Sequence, residues 1–366
     1  MKRVLHAAKW VVVGLNAAVV LWLLASGWGV YVSPAKASVM MPLCLSFPVP
    51  LVLTLLFLLF WLIVRWKFAL ISIAGIAAVL PSVRDYCPIN FPNPHPKGAL
   101  SVMSYNVRGF QAPAEDDEST YITDYVVKKN PDVLCIQEHT FARYSEHGKA
   151  VVKALEHWKY KREMYIAPEN SLAIYSKYPI VKVDTIQKNF HLHGAAAFYL
   201  EVGSDTIVVV NCHLVSNGIG PDEVENVKEL QQAIRAKNKT DLKSKAWEFL
   251  KIVRKTMRMA GPRALQADTI ADYIESVAGG RAVVFCGDLN DSPNSYVHKR
   301  LCRALDDAYV ASGNGPGISF NTVPFFFRLD NILCSRDWKA YDAEVDRTIH
   351  HSDHYPMECF LKRKKS

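Results

Sequence analysis

Three long apolar runs fill most of the first ninety residues, and they constrain the fold of this 366-residue chain more than any other feature. The runs cover residues 10–31, 47–64 and 68–83. At a rise of about 1.5 Å per residue, about 20 apolar residues cross the hydrocarbon core of a bilayer as one helix. A cleaved signal peptide would explain one run, but not three. The sequence therefore predicts a membrane domain over residues 1–86 with three transmembrane helices.

Basic residues beside these runs indicate the orientation, because cytoplasmic loops are enriched in lysine and arginine. One side of the predicted membrane domain carries Lys2, Arg3, Lys9, Arg65 and Lys67, whereas the other carries only Lys36 and Arg84. Several cysteines fall in strand-like apolar runs, as buried free thiols do, but such thiols are tolerated in either compartment. We therefore expect a multi-pass protein of the cell (inner) membrane. Its large C-terminal domain is expected outside the cytoplasm, which in a bacterium is the periplasm.

After residue 86 the sequence pattern changes twice. Residues 87–98 are rich in proline and lack apolar periodicity, which predicts an extended linker. Residues 99–364 then alternate short β-branched runs with amphipathic stretches, the pattern of an α/β domain. The predicted strands are 100–105, 133–136, 172–175, 196–202, 206–212, 282–286, 331–333 and 357–361. The predicted helices are 121–129, 151–158, 222–237, 241–259 and 265–277. A turn at Gly203 joins two adjoining strands into a predicted hairpin, so the sheets are expected to be mixed.

Polar side chains recur at the ends of these predicted strands. Burying a carboxylate or an amide is costly unless the group is paired or binds a metal. Each residue alone has an ordinary explanation, such as a turn residue, half of an ion pair or a satisfied core histidine. Together they indicate one oxygen-rich site. Its candidate residues are Asn106, Glu138, Asn211, His213, Asp288, Asn290, Asp330, Asp353 and His354.

The ligand types in this set favour a hard divalent cation. Carboxylate and amide oxygens without clustered thiolates suit Mg²⁺ or Mn²⁺. Zinc is the alternative, because His350, His351 and His354 lie close together in the sequence. Pro356 and the preceding Ser-Asp pair favour a loop before a strand at this point, which weighs against a helical zinc motif.

Six short motifs carry a family resemblance between about residues 101 and 360. They are SYNVR, CIQEH, VNCHL, GDLND, RLDN and HSDHYP, in that order. In this order they resemble the endonuclease/exonuclease/phosphatase superfamily. The version of the VNCHL motif with a histidine at position 213 resembles the deoxyribonuclease and sphingomyelinase branches of that superfamily. The resemblance implies a four-layer sandwich, in which two mixed β-sheets pack face to face with helices outside. It also implies a metal-dependent hydrolase that acts on phosphoester bonds.

The resemblance further implies a role for each candidate residue. Glu138, Asn106 and Asp353 correspond to the positions at the metal. Asp288 corresponds to the residue that polarises the attacking water, and Asn290 to the amide that holds the phosphate. The remaining positions are His354 at the phosphoryl oxygens, Asp330 orienting it, His213 as a second phosphate-facing histidine, and Asn211 supporting that strand end.

The substrate stays open at this stage. The first hypothesis is a membrane-anchored phosphodiesterase or phosphatase that acts on a lipid headgroup or a small phosphoester. The alternatives are a membrane-tethered nuclease and an inactive scaffold of the same fold. A basic stripe over residues 228–263, with eleven Lys or Arg, would suit a lipid surface or a nucleic acid, or be a solvated helix face. Substrate choice is expected in the loops at 110–120, 217–262 and 311–327.

Overall fold

The N-terminal part of the chain consists of helices. The computed structural model describes residues 2–111, 121–167, 170–236, 239–321 and 327–364. Five helices precede the first strand: α1 (Lys2–Trp28), α2 (Met40–Leu45), α3 (Pro48–Val64), α4 (Trp66–Ala78) and α5 (Leu80–Tyr86). They enclose a small apolar core around Leu23, Phe47 and Val79, and Ser72 Oγ donates to Asn16 Oδ1 across 3.1 Å.

The prediction of three transmembrane helices is corrected by the structure. In the described residues, one helical segment is long and apolar enough to cross a membrane, His6–Tyr31. Helix α3 is apolar but has only 17 residues, because it begins at Pro48 and its chain becomes extended at Arg65. Helices α4 and α5 together would make a second span, but they are bent by 64°. The bend lies at Val79, two residues before Pro81, whose ring cannot continue a helix without a break.

The proline-rich segment after α5 has no helix or strand over residues 88–96, and it lies against the following domain. Asn90 Nδ2 donates to the carbonyl oxygens of Val310 (3.1 Å) and Gly313 (2.6 Å). The His95 ring stacks on Phe360 with 3.7 Å between the ring centroids. The segment therefore contacts the following domain at Asn90 and His95.

Twelve strands form two six-stranded sheets in the described part of the chain. They are β1 (Leu100–Asn106), β2 (Val133–Gln137), β3 (Tyr160–Ala167), β4 (Asn170–Ser176), β5 (Ile180–Phe190), β6 (His193–Val202), β7 (Asp205–His213), β8 (Val283–Asp288), β9 (Leu305–Asp307), β10 (Asp330–Ser335), β11 (Trp338–Val345) and β12 (Met357–Arg363). Sheet A has the order β11-β12-β1-β2-β4-β3, and sheet B has the order β5-β6-β7-β8-β10-β9. The central pairs β1–β2 and β7–β8 are parallel, and the other pairs are antiparallel. Both sheets are therefore mixed, as predicted.

Six helices complete the described part of the second domain: α6 (Ile122–Lys129), α7 (Glu146–Leu155), α8 (Pro221–Ala236), α9 (Lys239–Ala278), α10 (Tyr296–Leu301) and α11 (Ala308–Ser312). The inner faces of the sheets pack together, with Val102 and Ile174 of sheet A in the same core as Phe198 and Val284 of sheet B. Helices α6 and α7 cover the outer face of sheet A. Helices α9 and α10 cover the outer face of sheet B. The predicted layering of two mixed sheets flanked by helices is confirmed.

Two predicted features of this domain differ in the structure. The two helices predicted at 241–259 and 265–277 form the single helix α9, which continues through Pro262. Much of the predicted loop 217–262 is consequently helical, as α8 and the first half of α9. Residues 112–120 and 322–326 of the other two predicted specificity loops lie outside the described residues.

Candidate active site

The candidate site lies where the central strands of both sheets end. In sheet A, Asn106 at the end of β1 is paired in register with Gln137 at the end of β2, directly before Glu138. In sheet B, Asp288 is in register with His213 on one side and with Asp330 on the other. Because parallel neighbours end at the same edge, the sheet pairing brings these side chains together. Gly287 permits the close β7–β8 contact, since a Cβ there would lie 2.5 Å from the carbonyl oxygen of Cys212.

Asp288 is the buried centre of the group. Its Oδ2 accepts from Asn106 Nδ2 (3.1 Å), and its Oδ1 accepts from the backbone N–H of Asn290 (2.8 Å). Burial works to raise the pKa of this carboxyl, but the charges of His354 and His213 and these hydrogen bonds outweigh it, so that the pKa of Asp288 is lowered. Asp288 is therefore held as a carboxylate, able to accept a proton.

His354 and Asp330 form a buried dyad beside Asp288. His354 Nδ1 lies 2.7 Å from Asp330 Oδ2, and its Nε2 lies 3.6 Å from Asp288 Oδ2. Burial opposes the charged imidazolium, but the carboxylates of Asp330 and Asp288 outweigh it and raise the pKa of His354 to about 10. The dyad therefore orients the ring with its Nε2 toward Asp288 and favours a protonated histidine, which can donate to a phosphoryl oxygen.

His213 approaches the group from the other side. Its Nε2 lies 3.7 Å from both Glu138 Oε1 and Asp288 Oδ2. The His193 ring packs edge-on against it, with 4.6 Å between the ring centroids. Burial and the neighbouring His213 lower the pKa of His193 to about 4, so His193 is neutral near pH 7. His193 was not among the predicted residues, although the sequence His191-Leu192-His193 offered a signal.

Of the three residues predicted at the metal, Glu138 and Asp353 line the open cleft, whereas Asn106 is buried. Glu138 follows β2 with a left-handed backbone (φ 53°), and its side chain is about one third exposed, at 37%. Its Oε1 accepts from Asn106 Nδ2 at 3.0 Å. Asp353 lines the same cleft, with Arg108 Nε 3.9 Å from its Oδ2. Asn106 Oδ1 accepts from the backbone N–H of Arg108 at 3.1 Å, so the oxygen donors that face the cleft are the two carboxylates. Carboxylate oxygens fit Mg²⁺ or Mn²⁺ better than a soft metal.

A second possible set of ligands overlaps the dyad. Asp288, Asp330 and His354 each offer one ligand atom, and these atoms lie within 4.8 Å of one another. His354 Nδ1 and Asp330 Oδ2 are already paired, whereas Asp330 Oδ1 has no hydrogen-bond partner among the described residues and the Glu138 carboxylate faces the cleft. The group of described side chains that could hold a metal includes His354 but neither His350 nor His351, whose rings lie near Tyr355 (5.8 Å) and Tyr121 (6.1 Å), respectively.

The two predicted asparagines occupy different positions. Asn290 lines the cleft in a left-handed conformation (φ 48°), and its Nδ2 donates to the carbonyl oxygen of Leu214 at 2.9 Å. Asn211 is fully buried between the sheets. Its Oδ1 accepts from Gln137 Nε2 (2.7 Å), and its Nδ2 donates to the carbonyl oxygens of Ile136 and Ala173. Asn211 thus ties β7 to β2 and β4 beneath the site and does not line the cleft.

A buried arginine supports the Asn290 loop and was missed by the sequence reasoning. Arg263 of α9 donates from Nε to the carbonyl oxygen of Val215 (2.7 Å) and from Nη2 to Asn217 Oδ1 (2.6 Å). Asn217 Nδ2 in turn donates to the carbonyl oxygen of Asn290 at 2.9 Å. Arg263 belongs to the predicted basic stripe, but it is fully buried. Other members of the stripe are paired within the α8–α9 hairpin, including Lys255 with Glu223 and Lys245 with Glu229.

Part of this set lines one cleft with a volume of ≈ 290 Å³. Its polar part contains Glu138, His213, Asp288, Asn290, Asp353 and His354. Three carboxylates and two imidazoles therefore face the same space. This combination suits hydrolysis of a phosphoester, which needs an activated water and neutralised phosphoryl oxygens.

Comparison with known proteins identifies the family. Residues 103–354 match the endonuclease/exonuclease/phosphatase family, and this is more than half of the 366 residues. The chain therefore belongs to that family. Residues 9–86 match a second family, described as a domain of unknown function. No curated protein sequence matches the chain significantly.

Several solved structures resemble the chain. A truncated TDP2 from Caenorhabditis elegans is 17% identical, with a TM-score of 0.47, covering 72% of this chain and 98% of its own. The human Nocturnin catalytic domain is 15% identical, with a TM-score of 0.47, covering 73% and 95%. A mannosyl-6-phosphatase from Bacteroides thetaiotaomicron is 15% identical, with a TM-score of 0.48, covering 72% and 100%.

Proposed function

We propose that the protein is a membrane-anchored, divalent-metal-dependent phosphoesterase that hydrolyses a phosphodiester or a phosphomonoester. The observation that carries this proposal is the convergence of Glu138, Asp288 and the His354–Asp330 dyad in one cleft. An ion-pair network that only stabilised the fold would not require a partly exposed carboxylate such as Glu138 beside a buried proton donor and a buried proton acceptor. Family membership supports the same reaction class.

The proposed cation is Mg²⁺ or Mn²⁺, held by Glu138 and Asp353 with Asn106. When bound, the cation would neutralise charge on the phosphoryl oxygens. Asp288, as a carboxylate, accepts the proton of the attacking water. His354, oriented by Asp330, donates to a phosphoryl oxygen or to the departing oxygen. His213 and Asn290 contact the remaining phosphate oxygens in this proposal, and Asn211 holds the strand ends in register.

Helix α1 is the proposed anchor. A signal sequence has the same apolar character, but the end of α1 makes contacts that its removal would destroy. Asn294 Nδ2 of the catalytic domain donates to the carbonyl oxygen of Ser26 (3.1 Å), and Ser82 Oγ donates to that of Gly27 (3.0 Å). These contacts put the catalytic domain at the C-terminal end of α1. With the basic N-terminus in the cytoplasm, the catalytic domain then lies outside it, the periplasm in a bacterium.

The activity is tested with the full-length protein in lipid nanodiscs, with Mg²⁺ or Mn²⁺ and with chelator. The substrates are bis-p-nitrophenyl phosphate, a sphingomyelin-like lipid, a phosphoinositide, plasmid DNA and RNA. We expect metal-dependent hydrolysis of small or lipid phosphoesters, which His354→Ala abolishes and the exposed control His157→Ala retains. Plasmid nicking without cleavage of the other substrates would favour the nuclease alternative. No turnover of any substrate would favour an inactive scaffold.

The anchor and its orientation have a separate test. Carbonate extraction should leave the protein in the membrane fraction, and a C-terminal alkaline phosphatase fusion should be active while a cytoplasmic fluorescent protein fusion stays dark. The opposite pair of reporter results would place the catalytic domain in the cytoplasm.

A further inference from the structure

The cleft that contains the catalytic residues also has an apolar wall. Met41 and Leu45 of α2 and Phe249, Ile252 and Val253 of α9 line the same space as Asp288 and His354. Helices α2 and α9 pack against each other. Apolar side chains do not stabilise the charge of a phosphate group, so this wall would not contribute to binding a phosphate alone. The wall therefore favours a substrate with an apolar part next to its phosphate.

The apolar wall lies at the end of the proposed membrane anchor. A single amide shows this, because Asn294 Nδ2 donates both to the carbonyl oxygen of Ser26 in α1 (3.1 Å) and to that of Cys44 in α2 (3.2 Å). Trp28 and Tyr31, at the same end of α1, are more than half exposed. Tryptophan and tyrosine in this position are typical of the membrane–water interface.

The outer surface of α9 continues the apolar character beyond the cleft. Trp247 and Leu250 are exposed there, and Arg254 lies over the Trp247 ring at 5.3 Å from its centroid. Exposed aromatic and aliphatic side chains beside basic ones are typical of helices that lie at a lipid surface. The open side of the cleft would therefore lie close to the membrane–water interface, where the headgroup of an amphiphile is found.

We propose that the substrate is an amphiphilic phosphoester, whose phosphate binds among Glu138, Asp288 and His354 and whose apolar chain lies along the wall of α2 and α9. This inference rests on the proposed phosphoesterase function and narrows its substrate class. The chain contributes to binding before and during the reaction alike, so it lowers KM and leaves kcat nearly unchanged.

The test uses the full-length protein in nanodiscs with Mg²⁺ and two synthetic phosphodiesters, methyl and hexyl p-nitrophenyl phosphate. If each added methylene is half-buried, it contributes about twofold, and the hexyl ester should exceed the methyl ester by roughly 30-fold in kcat/KM. Partition into the bilayer also favours the hexyl ester, but it does so equally for every variant of the protein. The variants therefore separate the two effects.

Val253→Asn places a polar group on the wall, and Leu265→Asn makes a matched change at an exposed position of α9, outside the cleft. Leu45→Asn tests the same wall from α2 and serves if Val253→Asn does not fold. We expect the hexyl-to-methyl ratio to fall at least fivefold in the two wall variants and to stay as in the wild type in Leu265→Asn. Equal ratios in all proteins, or a wild-type preference for the methyl ester, would overturn the inference alone. Hydrolysis of neither ester would also overturn the inference, and the absence of turnover on the substrates named under the proposed function as well would overturn that function with it.

Discussion

The His354–Asp330 dyad gives the sharpest prediction, because one atom change tests it. Asp330→Asn keeps the shape of the side chain and removes the charge that lies 2.7 Å from His354 Nδ1. The asparagine can also present its NH₂ group to the ring, which would favour the wrong tautomer. The residue is fully buried, so water does not replace the lost contact.

The size of the effect follows from the contact that is lost. A hydrogen bond to a charged group contributes about 1.5–3 kcal/mol. If the dyad matters mainly when His354 donates in the transition state, kcat should fall by roughly 10- to 160-fold, with KM little changed. General acid–base contributions of about 100- to 10,000-fold set the upper limit.

The assay is steady-state hydrolysis of bis-p-nitrophenyl phosphate at saturating Mg²⁺, together with thermal unfolding of the same sample. Asp306→Asn is the matched control, since Asp306 lies on the neighbouring strand β9 and its side chain is exposed. The control should keep wild-type kcat. A wild-type kcat in a folded Asp330→Asn protein would refute the orienting role of Asp330, and a raised KM with unchanged kcat would assign the dyad to substrate binding.

Three further predictions concern the cation, pH and the strand ends. Glu138→Gln should remove both the activity and the stabilisation by Mg²⁺, which for the wild type is about 2.7 kcal/mol at 100 times Kd; an unchanged Tm shift would reassign the ligand. The buried His298–Asp307 pair (2.8 Å) should stabilise the fold up to mildly alkaline pH. Burial opposes the charged form of His298, but Cys302 and Asp307 raise its pKa from 6.5 to about 10, so this stability is complete below about pH 6.5 and is lost as the pH rises through about 10. The Tm of His298→Asn should decline less than that of the wild type over that pH range. An equal decline in both proteins would show that the pair does not cause the pH dependence. Asn211→Ala should lower the free energy of unfolding by at least about 1–3 kcal/mol in urea titrations, because Gln137 loses a buried partner; wild-type stability would show that the tie between the sheets is dispensable.

The sequence predicted the central strands and missed the edges of both sheets. All eight predicted strands occur, but β3, β5, β9 and β11 were not predicted, and these four strands are the ends of the two sheets. A strand between two neighbours is covered on both faces and reads as a continuous apolar run. Edge strands such as β3 and β5 consist mostly of exposed and half-buried residues, so their sequences lack that signal.

Hydropathy predicted the N-terminal helices with a similar partial success. It identified the apolar helices, but it counts residues and does not register a break in direction. The bend between α4 and α5 depends on backbone geometry at Val79 and on Pro81, and α3 is short because of where its neighbours begin. The α1–α4 contact through Asn16 and Ser72 is likewise a tertiary feature, which two isolated polar residues in apolar runs only hint at.

The candidate site was accessible to prediction because its residues lie on the strands that the sequence reveals best. Side-chain direction was not accessible to the same degree. Asn211 and His213 are two positions apart on β7, so they share one face of sheet B, and the sequence gives them similar surroundings. In the structure His213 reaches the cleft, whereas Asn211, one step deeper, meets Gln137 of the opposite sheet. Which residue of a strand reaches the cleft depends on how the two sheets are positioned against each other. That position depends on contacts between residues far apart in the sequence. The free energy of unfolding is therefore a better test of such buried polar residues than the rate of turnover. For Asn211 the two quantities give different predictions, because substitution should lower the stability of the fold without removing a side chain from the cleft.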